Sequence, residues 1–276
     1  MGPETMGGTV NGTVGVTVGV TVNRKKRILP AAIAVCFILG AGFAYLVYDG
    51  YIHVNGPAAG KYEIKGIDVS HYQGEIDWQS LSGQGIRFAY IKATEGSSHV
   101  DERFAVNYAE AGATSLKTGA YHFFSFDSPG LSQAEHFIRT VEAFDGMLRP
   151  AVDVEFYGNK EDNPPDPDQV EKELRDFLAL VEQAYDRKPV IYATMESWEL
   201  YIRGRFEEYP LWIRDIWKKP VLPSSEEDSR EYQWTFWQYT NRGRLTGFSG
   251  VEKFVDLNVF YGNEGDWQEF LDPHSP

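Results

Sequence analysis

Two carboxylates stand two residues apart in Pro150-Ala151-Val152-Asp153-Val154-Glu155-Phe156. The apolar residues around them, Ala151, Val152, Val154 and Phe156, read as a buried strand. In a strand, residues i and i+2 leave the same face, so Asp153 and Glu155 point the same way, about 7 Å apart along the chain. An ionised carboxylate in an apolar strand is costly unless it is paired or at work. Two on one face repel, which raises the pKa of one of them. A protonated carboxyl beside an ionised one is the equipment for hydrolysing a glycosidic bond. The competing reading is a strand end whose acids bond to Arg, Lys or backbone groups, and this stretch alone favours neither.

The elements that must position such a pair run from Tyr62 onward. Apolar runs at 64–70, 87–93, 117–124, 150–156, 189–193 and 210–214 read as strands. Between them, 76–82, 104–111, 131–142, 168–185 and 198–202 read as helices, with Asp168 as the expected cap of the long one. Two later strands, 234–239 and 255–260, follow with little helix between them. Strand–helix alternation followed by consecutive strands predicts an α/β barrel-like sheet. In such barrels the chemistry sits at the C-terminal strand ends. Asp68, Glu95, His122, Asp153 and Glu155 all fall near such ends.

Composition narrows the ligand. The net charge is −14, and the first sixty residues hold only Glu4, Arg24, Lys25, Lys26, Arg27 and Asp49 as charged groups, so the acidity belongs to the body. An acidic body argues against nucleic acid as partner. Aromatics make up 14% of the chain, with 7 Trp and 16 Tyr, and rings with polar tips suit sugars. Cys36 is the one cysteine, which excludes an intrachain disulfide and a Cys-based metal site. No metal or cofactor is expected.

The first sixty residues differ in kind. Residues 1–23 are rich in Gly, Thr and Val without a helical period and read as a disordered tail. The basic cluster 24–27 closes that tail, and a charge-free run follows over 28–48, which as a helix would rise about 31 Å, close to a bilayer core. The expectation is one transmembrane anchor over 28–48, with residues 1–27 cytoplasmic and the body extracellular at the cell membrane. A cleaved secretion signal is the competing reading, disfavoured by the length of the run. Residues 49–61 read as a flexible linker and 62–272 as the catalytic domain.

The body resembles glycoside hydrolase family 25, the Chalaropsis-type lysozymes. The matching pieces are Gly66-Ile67-Asp68-Val69-Ser70-His71-Tyr72-Gln73-Gly74, Ile91-Lys92-Ala93-Thr94-Glu95-Gly96, Gly119-Ala120-Tyr121-His122-Phe123 and Asp153-Val154-Glu155. Pro210-Leu211-Trp212-Ile213, Trp237-Gln238-Tyr239 and Val255-Asp256-Leu257-Asn258 follow in the family's order. The resemblance implies a flattened TIM-like barrel of about five β/α units and extra strands. It implies cleavage of the β-1,4 bond between N-acetylmuramic acid and N-acetylglucosamine in peptidoglycan. Its acidic site residues match Asp68, Asp153, Glu155 and Asp256, with Glu155 at the general-acid position. Asp153 is its partner, steering the substrate's acetamido group or stabilising charge at the anomeric carbon. One departure is visible: the family usually continues after Trp212-Ile213 with a small residue and an aromatic, where this chain has Arg214-Asp215-Ile216 and a charged, irregular loop to Arg230.

Tyr121, Trp212, Trp237 and Tyr239 are the candidate sugar-binding aromatics, with core packing as the plainer role for each. His122 reads as a satisfied strand-end histidine, and Lys92 with Glu95 as an internal ion pair. Two rival functions remain at this stage: a glycan-binding module without turnover, and a hydrolase of another N-acetylated glycan such as chitin. Oligomeric state is not legible.

Overall fold

The apolar runs of the body become parallel strands because each is short, flanked by turn residues and separated by an amphipathic helix. The computed structural model describes residues 1–2, 7–9, 12–15, 17, 24–223 and 232–272, with the backbone alone for 24–31. The described elements begin with helices α1 (Arg24–Tyr48) and α2 (Gly56–Ala59). Then come β1 (Lys65–Val69), α3 (Trp78–Ser82), β2 (Phe88–Glu95), the short β3 (His99–Val100), α4 (Phe104–Gly112), β4 (Lys117–Phe123) and α5 (Gly130–Thr140). They continue with β5 (Ala151–Val154), α6 (Pro167–Tyr185), β6 (Val190–Thr194), α7 (Met195–Ser197), β7 (Leu211–Arg214), β8 (Phe236–Gly243), β9 (Val255–Phe260) and α8 (Glu264–Leu271). Residues Met1–Tyr45 form one unit and Leu46–Pro276 another.

In the larger unit the sheet order is β1-β9-β8-β7-β6-β5-β4-β2-β3, and β1 also pairs with β2, so the sheet closes on itself. Around the ring the pairings from β1 through β2 and β4 to β8 are parallel, whereas β9 is antiparallel to both β8 and β1, as β3 is to β2. The expected five β/α units and extra strands are therefore present as a closed barrel, with β3 a small hairpin outside the ring. The long helix α6 is capped by Asp166 rather than by Asp168: the Asp166 carboxylate accepts from the Asp168 and Gln169 amides. Pro167 explains the shift, because it lacks an amide hydrogen and its fixed φ suits the first helical position.

Strand parity divides the core. Ile67, Ala89, Ile91, Val152, Ile191, Ala193, Ile213 and Trp237 face outward to the helices. Phe88, Tyr90, Ala151, Val190, Tyr192, Trp212, Phe236 and Phe260 face inward, where Trp267 of α8 joins them. This inward set is a dry floor. Gly66 and Gly119 make room for it: a Cβ on Gly66 would lie 2.3 Å from the Phe88 ring, and one on Gly119 2.5 Å from Tyr90.

The expected transmembrane anchor is overturned. Among the described residues no helix is long and apolar enough to cross a membrane. The helix expected to form it, α1, runs from Arg24 to Tyr48. Its last turn is also taken up by the larger unit: the Leu46 carbonyl accepts from the Tyr51 and Ile52 amides, and Arg242 donates to the Tyr48 carbonyl. The membrane partner and the single-pass location with cytoplasmic N-terminus fall with the anchor. The expected disordered tail lies mostly outside the described residues, as do residues 224–230 of the irregular stretch up to Arg230.

Candidate active site

Above the floor, the same inward positions turn polar one strand-repeat later. Asp68 follows Gly66 on β1, Lys92 follows Tyr90 on β2, Asp153 follows Ala151 on β5, Arg214 follows Trp212 on β7 and Gln238 follows Phe236 on β8. On antiparallel β9 the series reads Phe260, Asn258, Asp256. Glu155, just past the end of β5, keeps Asp153's parity. These side chains surround an open trough of about 400 Å³ whose lining includes Asp68, Asp153, Glu155, Asp256, Tyr121 and Trp212.

Trp237 and Tyr239, also expected there, do not line it. They flank inward-facing Gln238, and a one-residue offset in a strand turns a side chain to the opposite face. Trp237 is buried against the outer layer and its indole donates to the Asp215 carbonyl at 2.9 Å. Gln238, Asn258, Tyr192 and Arg214 are the site residues that sequence reasoning missed. Asn258 alone carries a local signal, standing two residues from Asp256 in one apolar strand; Gln238, Tyr192 and Arg214 share no strand with an acid.

Asp68 is held by a network. Asn258 Nδ2 donates to its Oδ1 at 2.7 Å and Gln238 Nε2 at 3.1 Å. Each amide is fixed in turn, Asn258 by the Trp212 indole at 2.8 Å and Gln238 by the Tyr192 hydroxyl at 2.9 Å. Asp256 lies directly opposite Asp68 in the β1–β9 register and hydrogen-bonds to it. Burial raises the pKa of both carboxyls, and Asp68 raises that of Asp256 well above the carboxylate range. Of the two, Asp256 favours the protonated form more strongly, which suits it to donate its hydrogen bond to Asp68.

Asp153 and Glu155 form the second pair. Burial lifts Asp153 well above the usual range, with the Glu155 charge adding to it. Burial also raises Glu155, although the Arg214 charge pulls it back. Both members of this pair therefore favour the protonated form, Asp153 more strongly than Glu155. Asp153 is buried and its Oδ1 has no hydrogen-bond partner among the described residues, whereas Glu155 is only partly buried. Tyr121 is pushed well above its ordinary pKa by burial and by the surrounding carboxylates, so it stays a neutral hydroxyl.

Lys92 pairs with Glu95 at 2.7 Å and lies over the Phe123 ring. His122 faces outward; its Nδ1 accepts from Thr94 and its Nε2 donates to Gln133 at 3.0 Å. Burial pushes its pKa down to about 3, so it is a neutral structural group. Asp215, beyond Arg214, accepts the Trp217 and Lys218 amides and folds the departure from the family pattern into a fixed turn. Among the described residues no group of three or more His, Cys, Asp or Glu is placed to hold a metal ion.

A closed β/α barrel with proton-retaining carboxyl pairs at the bottom of an open trough is the construction of a glycosidase. Residues 67–248 match the family model described as glycosyl hydrolases family 25, and the chain belongs to that family. It is 35% identical to the protein YegX of Escherichia coli O157:H7 over 240 residues, covering 83% of this chain and 82% of that one. It is 36% identical to Lysozyme M1 of Streptomyces globisporus over 216 residues, covering 72% and 68%. The solved structure of a family 25 glycosyl hydrolase from Bacillus anthracis superposes with a TM-score of 0.70 at 51% identity, covering 75% of this chain and 93% of that one.

Proposed function

We propose that this glycosidase is a muramidase of the Chalaropsis type, hydrolysing the β-1,4 bond that follows N-acetylmuramic acid in bacterial peptidoglycan, and that 62–272 carry the activity. The observation that carries the reading is the Asp153/Glu155 pair, facing inward at the foot of an open, sugar-sized trough. The lysozyme names of its relatives support the choice of substrate.

Glu155 is the general acid. It is the more open of the pair and stands where a bridging oxygen can reach it. The pair's proton moves to Glu155 when sugar binds, because an acetamido N–H donated to the free Asp153 Oδ1 favours the ionised form of Asp153. Glu155 then protonates the glycosidic oxygen as the C1–O bond breaks, and Asp153 holds the acetamido group beside the cationic anomeric centre. Water adds to that centre and returns its proton to Glu155. Asp68, whose carboxylate form is favoured against burial by hydrogen bonds from Asn258, Gln238 and Asp256, supplies negative potential at the trough floor. Tyr121 forms part of the sugar-facing wall, and Trp212 lies in the floor beneath it, fixing Asn258.

Mass spectrometry of fragments released from purified peptidoglycan tests this. A muramidase leaves N-acetylmuramic acid at the new reducing end, so borohydride reduction yields muramitol. Glucosaminitol ends, equal turnover of chitin, or no release at all would each overturn the reading.

A further inference from the structure

Residues 49–61, expected as a flexible linker, are strapped to the barrel. Asp49 sits between two cations, 3.1 Å from Arg244 and paired also with Lys253. The Arg244 guanidinium lies 4.1 Å from the Tyr51 ring centre. The Arg242 guanidinium is sandwiched, 4.4 Å from the Tyr48 ring and 5.3 Å from Phe254. The His53 ring is hydrogen-bonded to the Arg242 carbonyl at 3.0 Å. Gly50 has φ +70, and a Cβ there would meet the Arg242 carbonyl at 2.3 Å, so the strap passes where only glycine fits. Asn55 is buried and donates to the Asp215 carbonyl at 3.0 Å and the Tyr239 carbonyl at 3.2 Å.

What the strap grips is the tip of the β8–β9 hairpin. That tip pairs poorly with itself: the register shifts between Gln238 and Thr240 and again between Thr240 and Gly243. Yet Asn241, Glu252 and Phe254 of the same tip line the trough. Their immediate neighbours Arg242 and Lys253 are the residues that the strap holds.

We propose that residues 48–55 are a positioning part of the active site: they fix the β8–β9 tip so that Asn241, Glu252 and Phe254 form one wall of the trough, and so set how tightly the glycan is held. This rests on the glycan-hydrolase reading above. The strap residues act through that wall and need not touch sugar themselves.

The test uses the full chain, soluble glycan strands prepared from peptidoglycan, and amide hydrogen exchange. Asp49→Asn weakens both ion pairs; KM is expected to rise roughly three- to tenfold with kcat within about twofold, the signature of lost uniform binding. Asp49→Glu keeps the charge and restores most of the KM. Asp49→Asn combined with Lys253→Gln is no worse than the more damaging single change, because the two residues share one interaction. Amides of 241–254 exchange faster in Asp49→Asn, while those of β5 are unchanged. Faster exchange at the tip with unaltered KM in both Asp49→Asn and Asn55→Ala would overturn the positioning role. Unaltered exchange would show that the strap holds nothing. A wild-type chain that is inactive on every glycan sinks the hydrolase reading instead, and the exchange comparison then still decides whether the strap grips the tip.

Discussion

The lower and upper halves of the barrel interior are built from the same strands at the same parity, and their chemistry is opposite. Below, Phe88, Tyr90, Trp212, Phe236, Phe260 and Trp267 pack ring against ring, with Phe88 and Phe236 5.0 Å apart and Tyr90 and Trp212 4.9 Å apart. Above, one strand-repeat on, stand Asp68, Lys92, Asp153, Arg214, Gln238 and Asp256. The difference teaches why the acids behave as they do. The floor admits no water from beneath, so each carboxyl is solvated from one side only, and burial is the first cause of every raised carboxyl pKa in the trough. The floor is therefore part of the chemistry without touching sugar.

The largest expected effect breaks the upper half alone. Glu155→Gln keeps the shape of the side chain and cannot deliver a proton, so turnover on purified peptidoglycan should fall by at least ~100-fold while the thermal midpoint holds. A rate within a few-fold of wild type would remove Glu155 from the role.

A substitution in the floor gives the converse. Phe236→Ala leaves every acid in place and should cost about 3–5 kcal/mol of stability, read from denaturant unfolding. A loss under about 1 kcal/mol would mean that the floor is not the close-packed unit described.

Asp153→Asn couples the two halves through pH. Burial raises the folded pKa of Asp153 above its unfolded value, so the neutral form is the one the fold prefers. Its contribution to stability is complete below the unfolded pKa and is lost as pH rises through the folded one. Asp153→Asn should therefore be inactive, yet gain thermal stability over wild type as pH rises toward 8, with the gain vanishing at pH 3. The same sign predicts that wild-type activity declines on the alkaline side as the pair loses its proton. A stability gain independent of pH would refute the raised pKa.

The smallest effect tests parity. Trp237→Phe removes an outward indole and its bond to the Asp215 carbonyl, costing about 1 kcal/mol. KM should stay within about twofold; a larger rise would place Trp237 at the sugar after all.

The barrel was legible because its strands are short apolar runs cut by helices of helical period, and Asp153 and Glu155 were legible because two acids in such a run need a reason. Trp237 and Tyr239 lie away from the trough for a physical reason: aromatic character says nothing of strand parity, and both flank the inward Gln238. Arg214 stood out in the sequence as a departure, but nothing local told that β7 would aim it among four acids. The strap at 48–55 is hidden because it opens a stretch whose Gly50, Gly56, Pro57 and Gly60 read as loose chain. Its order comes from Asp49 and Asn55 meeting partners some 160 to 204 residues away, which no local pattern reveals. Helix α8, which plugs the floor with Trp267, was not read because it is short and begins in a polar turn capped by Asn263.

The seam between β9 and β1 joins residues 190 positions apart, since Asn258 reaches back to Asp68. During synthesis Asp68 leaves the ribosome long before Asp256 and Asn258 exist. Until they arrive the sheet is an open ribbon with a bare edge, and the first carboxyl has neither its amide clasp nor the proton its partner lends. A nascent chain, or one clipped before residue 255, is therefore a hydrolase without a working centre. Catalytic competence in this molecule begins only when its last strand is laid down.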